Sequence, residues 1–134
     1  EFNAIYSNSY ILNYVINNNL SKIIENDIDI KTVIEYSDFD NLNYHTQLIL
    51  FEYLINLAID SCIQVTTSDK IIIIKSVKTA NKIILKLLYS NVSFNKSNIE
   101  KNIKNILSNK YYSLSIKKIN NTYTSILVTF DTYS

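Results

Sequence analysis

Neither glycine nor proline occurs anywhere in the 134 residues. Backbone positions that need a positive φ must therefore fall to Asn or Asp, the next most tolerant residues, so turns are expected at Asn-rich stretches. The same absence removes whole classes of chemistry, because a phosphate-cradling glycine loop of the Walker or dinucleotide type cannot be written in this chain. The abundant residues (Ile, Asn, Lys, Tyr, Ser, Leu) share AT-rich codons, and we read the bias as genomic rather than structural.

The length fits one domain with a core of its own. Thirteen lysines are dispersed among twelve acids for a formal charge of +1, so no basic stripe points to nucleic acid. A single cysteine, Cys62, leaves no internal disulfide and fits a reducing compartment. We read no signal peptide and no apolar run of the roughly 18 residues a membrane span needs, which makes a soluble, cytoplasmic protein the expectation.

Periodicity divides the chain. Glu1–Ser7 (EFNAIYS) reads as the last turns of a helix. From Tyr10 to about Glu25, apolar residues recur at three- and four-residue steps, predicting a helix broken near Asn17-Asn18-Asn19. Ile28, Ile30, Thr32, Ile34 and Tyr36 alternate with polar residues as in a half-buried strand, and SDFDNLN follows as a polar connection. Leu42–Cys62 predicts the central helix, with Leu48, Phe51, Leu54, Ile55, Ala58 and Ile59 on one stripe. KIIIIKSV and KIILKLLY flank the short turn KTAN as a hairpin.

Ser97 and Glu100 fit a capping box ahead of a helix that carries Ile99, Ile103, Ile106 and Leu107. Tyr112, Leu114 and Ile116 face Ile126, Val128 and Phe130 if Asn120-Asn121-Thr122 is a three-residue loop. A one-residue slip would mismatch the faces, so the apolar pattern selects this register. The expected fold class is an α/β (α+β) two-layer sandwich, a mixed or antiparallel sheet with helices on one face.

This order of elements, together with FEYLINLAIDSC at residues 51–62, resembles the catalytic ATP-binding domain of histidine kinases. In that family a helix motif of the form Asn-Leu-Leu-x-Asn-Ala holds magnesium on the ATP phosphates. Setting Ala58 on the motif alanine puts Leu57 where the metal asparagine belongs and Tyr53 on the earlier asparagine. Asn56 is displaced by about 100° round the helix. Tyr89-Ser90-Asn91 occupies the place of the adenine-binding Asp-x-Gly, without its carboxylate. The glycine-rich lid motifs are absent, and Asn91–Ser97 is too short for a lid.

The histidine phosphotransferases of alphaproteobacterial cell-cycle phosphorelays look like such a kinase with a degenerate ATPase-like domain. On that resemblance, residues 1–8 would end a helical dimerisation hairpin and 9–134 form the degenerate domain without an ATP site. The implied partners are response-regulator receiver domains and a hybrid histidine kinase, and the implied state is a homodimer through helices preceding Glu1. The phosphoaccepting histidine would also precede Glu1. No catalytic, cofactor-binding or metal residue is assigned to this chain, and no cofactor is expected.

The residues that invite other readings have plainer ones. His45 suggests phosphoryl transfer or general-base work but sits at a helix start away from the family's phosphohistidine, as an ordinary surface histidine would. Glu52 and Asp60 are too far apart on their helix for a compact carboxylate pair, and one histidine with one cysteine makes no metal site. Cys62 reads as a small buried filler. The eleven tyrosines lack basic neighbours for base stacking. Lys101, Lys104, Lys110, Lys117 and Lys118 read as a solvated face. The expected function is phosphorelay transfer between receivers, with this chain as its docking domain; the alternative is an α+β protein-interaction module with no phosphotransfer, of viral or parasite adaptor type.

Overall fold

The computed structural model describes residues 4–7, 9–34, 39, 42–66, 69–93, 95–108 and 110–131. In chain order the elements are β1 (Ala4–Ser7), α1 (Tyr10–Asn18), α2 (Leu20–Glu25), β2 (Asp29–Ile34), α3 (Tyr44–Ile63), β3 (Ile71–Lys78), β4 (Lys82–Ser90), α4 (Lys96–Ile106), β5 (Tyr112–Ile119) and β6 (Tyr123–Asp131). The strands form one mixed sheet in the order β1-β2-β3-β4-β6-β5. β1, β2 and β3 run parallel, and the remaining pairs are antiparallel.

Strand alternation decides which side is covered. Ile72 and Ile74 of β3, Leu85, Leu87 and Tyr89 of β4, and Ile126, Val128 and Phe130 of β6 are buried, and the pairing lines them up in common rows. The helices lie over that face: Leu12, Val15 and Ile16 of α1 and Leu50, Phe51, Leu54, Ile55, Ala58 and Ile59 of α3 join the same core. This is the two-layer sandwich that the order of elements implies.

Local chemistry explains the boundaries. Ser9 caps α1 by accepting the Leu12 N–H at 3.1 Å, and Asn43 caps α3 by accepting the Thr46 N–H at 2.8 Å. The first helical stretch breaks at Asn19, whose amide donates to the Val15 carbonyl at 2.9 Å and closes α1. Asp27, Asn120 and Asn121 take φ of 53°, 54° and 58°, placing left-handed turns on Asp and Asn as the lack of glycine requires. The β5–β6 register pairs Tyr112 with Phe130, Leu114 with Val128 and Ile116 with Ile126, as the apolar pattern selects.

Four expectations need correction. Ala4–Ser7 is a strand, where the sequence suggested a helix end; its backbone pairs with the otherwise open edge of β2, Ala4 opposite Lys31. Residues 1–3 and the strand expectation at Tyr36 lie outside the described residues. α4 is capped by Asn95, which accepts the Asn98 N–H at 3.0 Å, so Ser97 lies inside the helix and no capping box forms. Asn is as good a cap as Ser, and it comes first in the chain.

The polar connection before α3 delivers Phe39 and Leu42 into the core, both 4% exposed. Phe39 meets Phe51 and Phe130 edge-on, with centroids 5.9 and 6.2 Å apart. Finally, α3 is long and apolar enough to cross a membrane. Here one stripe of it packs on the sheet, while Asn56 and Asp60 face solvent.

Candidate functional site

The last turns of α3, the end of β4 and the first turn of α4 surround a cavity of about 180 Å³ lined by Leu57, Asp60, Ser61, Gln64, Tyr89, Asn91, Ser93, Asn95, Asn98 and Ile99. Its floor is a polar chain built by residues far apart in sequence. Ser61 Oγ stands 2.9 Å from both the Ser90 carbonyl oxygen and Asn91 Oδ1. Asn91, buried at 5% exposure, donates from Nδ2 to Thr124 Oγ1 at 2.6 Å and accepts the Ser93 N–H at 3.1 Å. Its own backbone N–H donates to the Thr122 carbonyl at 2.8 Å. The network welds α3, β4 and β6 together at one end of the sheet.

Beneath it, the Ser90 hydroxyl donates to the Asp69 carbonyl at 2.7 Å and accepts the Ile71 N–H at 2.9 Å. Tyr89 is buried, and its phenol bonds to Thr124; desolvation pushes the hydroxyl up to about 12 from its ordinary 10. Desolvation likewise pushes the Cys62 thiol up to about 11, although its sulfur lies 3.6 Å from the Ile71 carbonyl oxygen and 4.0 Å from that of Ser90. A thiol held neutral so far above pH 7 is a packing group, as the sequence suggested.

The residues singled out from the sequence separate. Leu57 lines the cavity, whereas Asn56 is exposed. Tyr53 packs beside α4, its hydroxyl accepting from Asn102 Nδ2 at 3.3 Å. His45 lies on the first turn of α3, sixteen residues or about 24 Å of helix from Ser61. There it lines a different, apolar groove with Tyr10, Ile11, Tyr14, Tyr44 and Leu48. Glu52 and Asp60 share no site, and among the described residues no cluster of three His, Cys, Asp or Glu groups forms. Lys101 and Lys104 are exposed on α4, while Lys117 and Lys118 point to opposite sides of β5.

The resemblance to histidine-kinase catalytic domains implies magnesium and ATP. Magnesium wants hard oxygen ligands, but Leu57, in the place that the resemblance gives to the metal asparagine, is aliphatic, and Asp60, the single carboxylate among the lining residues, is solvent-exposed. Among the described residues no lysine lines the cavity to meet a polyphosphate. Its volume lies below the roughly 300 Å³ at which small-molecule sites begin. These residues do not fit the nucleotide.

The Ser61–Asn91–Thr124 chain went unread in the sequence. Its only signal there is a polar pair, Ser90-Asn91, closing an otherwise apolar strand.

The architecture is that of the catalytic, ATPase-like domain of histidine kinases. The nucleotide-free catalytic domain of histidine kinase ThkA superposes with a TM-score of 0.71 at 13% identity, covering 94% of each chain. Histidine kinase AdeS of Acinetobacter baumannii gives 0.72 at 9% identity, over 92% of this chain and 64% of its own. ThkA in complex with the response regulator protein TrrA gives 0.64 at 16% identity, over 96% of this chain and 41% of that one. No protein-family model and no curated protein sequence matches.

Proposed function

We propose that this chain is the docking domain of a two-component signalling protein, a histidine-kinase catalytic fold that works without ATP. The observation that carries the reading is the cavity at the end of α3: in the place where this fold would hold magnesium and phosphate stand Leu57 and the closed Ser61–Asn91–Thr124 chain. Such a domain contributes surface rather than chemistry.

The finer reading is a histidine phosphotransferase, cytoplasmic and dimeric, that moves phosphate between the receiver domains of response regulators and a hybrid histidine kinase. The receiver partnership is supported by ThkA, a kinase of this fold seen in complex with a response regulator. Phosphate would reside on a histidine of a preceding helical hairpin, since His45 is exposed at the start of α3, away from the place that the resemblance gives to the phosphohistidine.

The test mixes a version of the protein that includes the residues encoded upstream of Glu1 with receivers carrying labelled phosphate. The proposal expects label on the protein, lost when the upstream histidine is changed to alanine. No label from any receiver would leave a second reading, a plain interaction module. That reading is favoured by Tyr10, Tyr14 and Tyr44, which stand 90%, 56% and 79% exposed around one groove, because exposed aromatic side chains are common anchors of interfaces.

A further inference from the structure

The helices cover one face of the sheet, and the other face is aliphatic chiefly along β3 and β4, while β5 and β6 turn Ser113, Ser115, Ser125 and Thr129 to the same side. Alternation turns Ile71, Ile73 and Val77 of β3, Ile84 and Leu88 of β4 and Leu127 of β6 outward, each partly exposed. A solvated sheet face ordinarily reads polar at these positions. Set among the aliphatics are Lys75 and Lys86, and the register makes them direct partners across β3 and β4. Like charges directly opposite on one face destabilise a strand pair.

Among the described residues, no ion pair or hydrogen bond joins either ammonium to a carboxylate. Lys31, opposite Ile73 on β2, stands diagonal to Lys75. Among the described residues the face also carries Lys82 and Lys117, so five lysines meet two aspartates, and both aspartates are marginal. Asp29 sits at one end opposite Ile71, and Asp131 lies at the other, 3.9 Å from Lys82. The described residues of the sheet thus gather an excess of three positive charges on one face.

We propose that this face, centred on Lys75 and Lys86, docks an amphipathic helix whose inward side combines aliphatic side chains with carboxylates. The occupant follows from charge and shape. A second copy would set the lysine cluster on itself, because a twofold interface pairs each patch with its own image. A planar bilayer would meet a twisted sheet along a strip only, and here the aliphatics are recessed between longer lysines. A helix about 10 Å across covers two strands about 4.8 Å apart, which matches β3 and β4, and it adds the third layer that open sheets commonly take. Carboxylates one helical turn apart reach both ammonium groups and remove their repulsion, while the aliphatics supply burial. This inference does not depend on phosphotransfer.

The test displays a library of helical peptides of about 20 residues, with one face randomised over Leu, Ala, Gln, Glu and Lys, and selects it against the protein. The proposal expects enrichment of peptides that pair Leu with Glu. It expects their affinity to fall about tenfold or more for Lys75→Glu or Lys86→Glu, and to fall with added salt. Each substitution should raise Tm by a few degrees, since it converts a repulsion into a cross-strand ion pair, so lost binding cannot be ascribed to unfolding. The proposal is overturned if no peptide is enriched, if basic or uncharged peptides win, or if either substitution leaves affinity unchanged. It is also overturned if the protein instead sediments with phosphatidylcholine–phosphatidylglycerol vesicles, or self-associates, in a manner these substitutions abolish.

Discussion

Asn91 Nδ2 lies 2.6 Å from Thr124 Oγ1, joining the end of β4 to β6 beneath the cavity between α3 and α4. The same side chain accepts from Ser93 N–H and meets Ser61 Oγ, so one buried amide satisfies three elements at once. Asn91→Ala removes the donor to the buried Thr124 hydroxyl and the acceptor of the Ser93 N–H, while Ser61 keeps the Ser90 carbonyl, and is expected to cost about 1–3 kcal/mol in urea unfolding, the range set by unsatisfied buried groups. A cost below 0.5 kcal/mol would show the network is dispensable.

The central helix allows a paired comparison. Leu54 is fully buried under the sheet and Asn56 is exposed two residues on. Leu54→Ala should lose about 2–5 kcal/mol through the cavity it leaves, and Asn56→Ala should stay within about 0.5 kcal/mol. Equal effects at the two positions would contradict the packing of α3.

Turn chemistry gives a third expectation. Asn121 holds φ 58° in a chain with no glycine. Asn121→Gly should leave stability unchanged or raise it slightly, whereas Asn121→Ala should lower it by about 1 kcal/mol. Both are read from thermal or urea melts.

How much of this was legible in the sequence depended on range. α1, α3, α4 and both hairpins announce themselves by 3.6- and 2-residue periods, and even the β5–β6 register follows from matching Tyr112, Leu114 and Ile116 to their partners. β1 did not, because four residues show too little alternation and its partner β2 lies over twenty residues on in a parallel pairing. Phe39 was hidden by its acidic neighbours in SDFDNLN. The Asn91–Thr124 bond spans 33 residues, a separation at which no local pattern speaks. At the cavity, aligning Ala58 on the motif alanine set Leu57 in the place of the metal asparagine, and Leu57 is among the lining residues, but nothing in the local pattern put it on the helix's buried stripe. The Lys75–Lys86 pair became visible only when pairing fixed which lysines share a row.

Alkaline pH should destabilise the fold in a defined window. Folded Cys62 keeps its proton to about pH 11, while the unfolded thiol ionises near 9.0, so the unfolded state binds fewer protons between these values and stability falls as pH rises through them. Tyr89 extends the fall from 10.0 to about 12. In Cys62→Ala the decline should begin near pH 10 instead of 9, read from urea midpoints. At pH 8 the native thiol should resist alkylation until the chain unfolds.

The central claim, that a histidine-kinase catalytic fold here serves docking without nucleotide, is tested most directly by titrating Mg-ATP into the protein by calorimetry, with amide chemical shifts of the α3–α4 cavity followed in parallel. The account predicts no saturable heat and no shift at Leu57, Ser61 or Asn91. Saturable binding in the micromolar range with shifts at those residues would contradict it.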